Sequence, residues 1–154
     1  MTKCEDSESI IDKIKQEVLR RVKPNEEEFA HLEDMKEEMK ELVQKSAKKL
    51  GIEDVIAISV GSAERKTWLR GSHDIDIFIS FPEKIAREEM AESGMAIAKE
   101  VAKHADEWED RHAEHPYLHL KKGIFEIDIV PCFRVSDASK IKSAVDRTPF
   151  HCNY

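Results

Sequence analysis

Too few basic side chains, too few cysteines and no long apolar run remove several classes of function from this chain at the outset. Against 32 Asp and Glu stand 25 Lys and Arg, a formal charge of −7 over 154 residues. Phosphate contacts need clustered Lys and Arg, so the chain is not expected to supply the main grip on a nucleic acid. The three cysteines, Cys4, Cys132 and Cys152, are odd in number and lack disulfide-framework or metal-type spacing, which fits reduced thiols in a cytoplasm. Zinc held by His112, His115, His119, His151 and Cys152 is rejected, because zinc demands a tighter ligand set and His115-Pro116 breaks any helical i, i+4 pair. No segment is apolar for long enough to span a bilayer, and residues 1–9 lack a signal peptide's hydrophobic centre. A membrane is therefore not expected as a partner, and the expected location is cytoplasmic. Repeats and low-complexity linkers are absent too. With 40% hydrophobic and 37% charged residues, the chain reads as one soluble domain, 1–154, able to bury a modest core.

What is present alternates between helical and strand periodicity. Ile10, Ile14, Val18 and Val22 lie four apart on a first helix, 9–22, ended by Pro24. Asn25 with Glu28 forms a capping box, after which Phe29, Leu32, Met35, Met39, Leu42, Val43, Ala47 and Leu50 trace the buried face of a long helix to Gly51. Strands are predicted at 54–60 and 74–81, with a short helical stretch at about 64–69 between them. A helix at 86–105 contains Gly94, a position for close packing against the sheet. Strands at 107–114 and 117–121 follow, then a turn at Lys122-Gly123 into an apolar strand, 123–130, with a loop and helix start at 136–142. These elements make an alpha/beta sandwich (α+β), a mixed sheet with helices packed on one face.

The chemistry sits on two of those strands. In Asp74-Ile75-Asp76-Ile77 the acids share one face and the isoleucines the other; in Phe125-Glu126-Ile127-Asp128-Ile129-Val130 the same alternation holds. Pairing the two strands with both aliphatic faces inward brings the carboxylates onto one open face. Hard oxygen ligands in that number suit Mg2+, which completes its octahedron with water and substrate phosphates, so nucleotidyl transfer is the natural chemistry. Gly61-Ser62 stands between a strand and a helix start, where glycine allows close approach of a phosphate and backbone amides, the Ser62 hydroxyl and Arg65 offer donors. Either motif alone is common as an ordinary turn or solvated edge; their order along the chain is the specific feature. Lys66, Arg70, Lys121, Lys122, Lys140, Lys142 and Arg147 near these blocks form either a local positive rim or ordinary solvated charges.

This order resembles the polymerase-beta nucleotidyltransferase superfamily. Residues 61–72 (Gly61 and Ser62 through Arg70, Gly71 and Ser72), Ala113-Glu114-His115-Pro116-Tyr117, Asp128-Ile129-Val130-Pro131-Cys132 and residues 143–151 together resemble the head domain of archaeal, class I CCA-adding enzymes, over about residues 10–151. The resemblance implies a polymerase-beta-like fold and transfer of a nucleoside monophosphate from CTP or ATP to the 3'-hydroxyl of a tRNA end. It makes Asp74, Asp76 and Asp128 the catalytic, Mg2+-holding residues, and Gly61, Ser62, Arg65 and His151 the nucleotide-binding ones. The family often has Glu at the position of Asp74, and places no acid like Glu64 before the arginine. CCA-adding enzymes of this class are several-fold longer. The expectation is therefore a catalytic head without the tRNA-binding domains, from a truncated or naturally split enzyme whose missing part a second polypeptide supplies. A stand-alone minimal nucleotidyltransferase, another RNA-tailing enzyme and a non-catalytic assembly subunit are the rival readings.

Overall fold

Alternation on the strands and 3.6-residue periodicity on the helices meet in one core, seen in a computed structural model that describes residues 3–151, and side chains from 9 to 149. The helices are α1 (Lys3–Val22), α2 (Glu26–Lys49), α3 (Gly61–Arg65), α4 (Arg87–Ala102) and α5 (Ala144–His151). The strands are β1 (Ile56–Val60), β2 (Asp74–Pro82), β3 (Glu107–His112), β4 (Pro116–Lys122) and β5 (Phe125–Arg134), in the order β1-β2-β5-β4-β3. Only β2 and β5 run parallel; the other pairs are antiparallel, so the sheet is mixed as expected. Ile75, Ile77, Ile79, Leu118, Leu120, Ile127 and Ile129 fill one face, and Leu32, Met39 and Val43 of α2 with Met90, Ile97 and Val101 of α4 cover it. Burying each such side chain contributes about 1.5–3 kcal/mol, which is why this face fixes the register of β2, β4 and β5.

The capping box at Asn25 is present: its side chain accepts from the Glu28 amide at 2.8 Å, and Glu28 accepts from the Asn25 amide at 2.8 Å. Gly94 also behaves as read, since a Cβ there would lie 2.4 Å from the Pro131 ring. α1 begins earlier than the apolar stripe indicates, at Lys3. That stripe does not reach the core: Ile10, Ile14 and Val18 are half or more exposed. α4 ends at Ala102 rather than 105.

Three further differences shape the site. The short helix spans Gly61–Arg65 instead of 64–69, because Lys66 turns left-handed (φ 55°) and the Thr67 amide bonds back to the Ser62 carbonyl at 3.0 Å. Trp68 then leaves the helix to pack edge-on against Phe29, ring centroids 5.2 Å apart. β5 runs on past 130 to Arg134, through Pro131. Its ladder with β4 stops at Ile129, so Pro131 sits where that side of the strand has no neighbour and proline is tolerated. Finally, the helices are not all on one face: Val145 of α5 packs with Val60, Phe78 and Cys132 on the opposite side.

Candidate active site

The parallel β2–β5 ladder sets Asp76 opposite Asp128 and Asp74 opposite Glu126. Four carboxylates therefore occupy two adjacent rungs of one face, while Ile75, Ile77, Ile127 and Ile129 between them are 0–1% exposed on the other. The three expected aspartates are thus brought together, with Glu126 beside them. Ser72 donates its hydroxyl to Asp74 Oδ2 at 2.6 Å. Asp76 has no such donor among the described residues. Burial first, then the like charges of Asp128 and Asp74, push its carboxyl up to about 6.

Gly61 is explained by that crowding. It has φ +76°, and a Cβ on it would lie 2.4 Å from Asp76 Oδ2. Both the left-handed backbone and the close approach exclude a side chain, so the Gly-Ser turn is locked against the middle carboxylate. Ser62 follows as the second residue of α3, partly exposed, and Arg65 is exposed with Nε 3.4 Å from the Gly61 carbonyl. Glu64, an acid unexpected beside a phosphate pocket, turns to α2 instead. There it pairs at 2.9 Å with the buried Lys36, which also holds Glu33 at 3.0 Å. Burial works to lower the Lys36 ammonium, and the hydrogen bonds it donates to Glu64 and Glu33, with their charges, outweigh it, so its pKa lies above the ordinary value. His151 closes α5, and its side chain lies outside the described residues, as does Cys152.

Two buried polar side chains around the candidate site escaped the sequence reading. His119, set aside with the zinc candidates, lies opposite Asp128 on β4, and its Nδ1 is 2.7 Å from Asp128 Oδ1. The signal for it was present: the two-residue turn Gly123-Ile124 pairs Lys122 with Phe125, and counting back three rungs puts 119 opposite 128. Asp146 is fully buried and accepts from the Phe133 amide at 2.8 Å, the Ser143 amide at 3.0 Å and the Lys142 amide at 3.2 Å, tying the start of α5 to β5. Burial, and then the Asp146 charge, push the neighbouring Cys132 thiol up to about 12, so it stays protonated. Of the seven bases near these blocks, four are paired: Arg70 with Glu28, Lys121 with Glu107, Lys122 with Glu38 and Lys140 with Glu83.

A hard divalent cation fits the donor set, because every ligating atom is a carboxylate oxygen and a positive charge would relieve the repulsion that raises Asp76. Among the described residues no three ligating side chains already surround one point. Like charges do not converge by themselves.

Known proteins resemble this chain in sequence and, separately, in fold. Residues 32–151 match the nucleotidyltransferase domain family, whose members generally use divalent metal ions. A CCA-adding enzyme of Methanosarcina barkeri is 54% identical over 145 residues, covering 94% of this chain and 32% of its own length. That of Archaeoglobus fulgidus is 44% identical over 142 residues, 92% of this chain and 30% of its own. The chain thus spans about a third of the curated relatives it matches. Cid1 poly(U) polymerase with MgGTP bound shares the fold, with a TM-score of 0.62 at 18% identity, over 79% of this chain and 37% of that one. No described helix is long and apolar enough to cross a membrane.

Proposed function

Because the chain belongs to the nucleotidyltransferase domain family, we propose that its carboxylate face transfers nucleoside monophosphate from CTP or ATP to the 3'-hydroxyl of a tRNA end, building CCA. In this reading 1–154 is one catalytic head, and domains that hold the tRNA belong to a further part of the protein or to a second polypeptide. The observation that carries it is the pairing of Asp76 with Asp128, one rung from Asp74, with Gly61-Ser62 packed against Asp76. Identity of 54% and 44% to CCA-adding enzymes supports this choice of substrate class.

Asp74, Asp76 and Asp128 would hold Mg2+, which supplies neutralisation of triphosphate charge and a lowered pKa for the attacking hydroxyl. Ser62 and Arg65 are the donors for the β- and γ-phosphates, with His151 joining them. Gly61, lacking a side chain, lets those phosphates come close to the backbone beside Asp76. Asp128, on the side of the ladder away from the Gly-Ser turn, faces the acceptor end, so nucleotide and RNA approach from opposite sides of one carboxylate row. The protein's contribution is positioning and charge placement, with no covalent step on the enzyme. Its acid excess leaves the grip on RNA to other surfaces, and its place is the cytoplasm.

The test is incubation of the chain with labelled CTP or ATP and tRNA lacking its 3'-CCA, alone and with the remaining two-thirds of a relative added as a separate polypeptide. Weak or no incorporation alone and CCA synthesis on addition are expected. Efficient synthesis by the chain alone would overturn its dependence on other domains. In thermal melts, Mg2+ with CTP should stabilise more than the sum of either alone, and strict additivity would argue against a shared site.

A further inference from the structure

His119 is a buried histidine beside the row of carboxylates, and nothing in the proposed reaction assigns it a task. Its side chain is 7% exposed, against 30% for Asp128. The rung it occupies runs across four strands: Asp76 on β2, Asp128 on β5, His119 on β4 and Glu109 on β3. Its contact with Asp128 is close, at 2.7 Å, and made by one nitrogen, Nδ1. An ionised carboxylate can only accept, so Nδ1 carries the proton and donates it. The other nitrogen, Nε2, is buried without a hydrogen-bond partner, 3.8 Å from Glu126 Oε2.

We propose that His119 is a positioning residue that orients Asp128 through the Nδ1–H bond to Oδ1. This rests on the reading of Asp74, Asp76 and Asp128 as a cation-holding set. One Asp128 oxygen is drawn toward β4, while Oδ2 makes no hydrogen bond among the described residues and is left for the cation shared with Asp76. Without that bond the Asp128 carboxylate has no fixed rotamer, and the like charge of Asp76 across the ladder works against any single arrangement. Neighbouring groups that orient metal ligands typically change metal affinity or activity by about 10–100-fold when removed. Around the ring stand Glu109 and Arg111 of β3, paired with each other, Lys121 of β4 and Glu126 of β5, which line a small cleft of about 190 Å³ beside it. None of these replaces the bond to Asp128. Ser72 does the equivalent for Asp74, leaving Asp76 as the one aspartate of the three with no orienting donor among the described residues.

The experiment is Mn2+ binding to the 154-residue chain, followed by electron paramagnetic resonance, for wild type, H119N, H119Q and D128N. Asparagine places its amide nitrogen near the position of Nδ1, whereas glutamine reaches toward that of Nε2. H119N should therefore stay within about threefold of wild type and H119Q should lose about 10–100-fold. A residue that merely fills space would reverse the order, since asparagine leaves the larger void. Equal affinities in H119N and H119Q, or the reversed order, would overturn the positioning role. Wild-type protein that binds no Mn2+, or D128N that binds as well as wild type, would instead overturn the underlying cation-site reading. A histidine-selective 15N spectrum of wild type at pH 8 needs no variant: the proton belongs on Nδ1, and finding it on Nε2 would overturn the inference outright.

Discussion

The two faces of β2 and β5 are built from alternate residues of the same strands and are optimised against each other. Ile75, Ile77, Ile127 and Ile129 are 0–1% exposed and interdigitate with α2 and α4. One residue away, Asp74, Asp76, Glu126 and Asp128 gather like charge at a half-covered surface, where the middle carboxyl is pushed up to about 6. The first face gains free energy by excluding water. The second costs free energy in the same fold, and such a cost persists where binding another charge repays it. The aliphatic face holds the strands in register so tightly that the opposite face must tolerate its repulsion.

The contrast predicts opposite signatures for substitutions one residue apart. Largest should be the loss on the acidic face: in the complete or reconstituted enzyme, D128N should lower the single-turnover rate at least on the order of 10²-fold with nucleotide affinity largely kept, whereas D76N damages both. Strong loss of nucleotide affinity with an unchanged saturated rate in D128N would reverse the role assigned to that residue. Next comes I77A, which should cost about 2–5 kcal/mol in urea denaturation without any direct effect on cation affinity. A cost under about 1 kcal/mol would mean the aliphatic face is not what fixes the strands.

Smaller, and opposite in sign, is the effect of D76N on stability without divalent cations. The folded carboxyl titrates near 6 rather than 3.8, so the folded state takes up a proton that the unfolded chain has already released. Wild-type stability from this group therefore falls as pH rises from about 4 to 6, and the full cost, roughly 2–3 kcal/mol, is present above that window. D76N should be more stable than wild type at pH 7.5 by up to that amount, with the gap closing below about pH 4; a gap independent of pH would remove charge crowding as its cause. The smallest effect is expected on α1, where I14S should change stability by less than about 0.5 kcal/mol, because Ile14 is 60% exposed. A large loss there would reveal packing of that stripe on something beyond the described contacts.

The helix α1 and the strand pair mark where sequence reading succeeds and stops. An i, i+4 stripe identified both α1 and α2, yet only α2 buries it; periodicity reports which face is apolar and not whether a neighbour arrives to cover it. Capping at Asn25, the strand alternation, the need for a small residue at Gly94 and the gathering of three aspartates on one face were all legible, because each depends on a few neighbouring residues. The short helix begins three residues and ends four residues before its expected bounds, where Lys66 turns left-handed and Trp68 packs against Phe29. His119 was legible in principle through a two-residue hairpin turn and was missed because histidines were weighed only as zinc ligands.

By itself the sequence determined the elements, the polar and apolar sides of β2 and β5, and the residue types on which nucleotidyl transfer depends, because local sterics and two-residue periodicity act within a few bonds. Tertiary structure alone decided that Asp76 faces Asp128 across a parallel ladder, that Asp76 fills the space a Gly61 side chain would need, and that Glu64 turns away to Lys36. Those contacts join residues separated by 52, 15 and 28 positions in the chain. Such distances are closed only when the aliphatic face has packed against α2 and α4, since loop closure costs entropy that no local signal offsets and the burial of that face does.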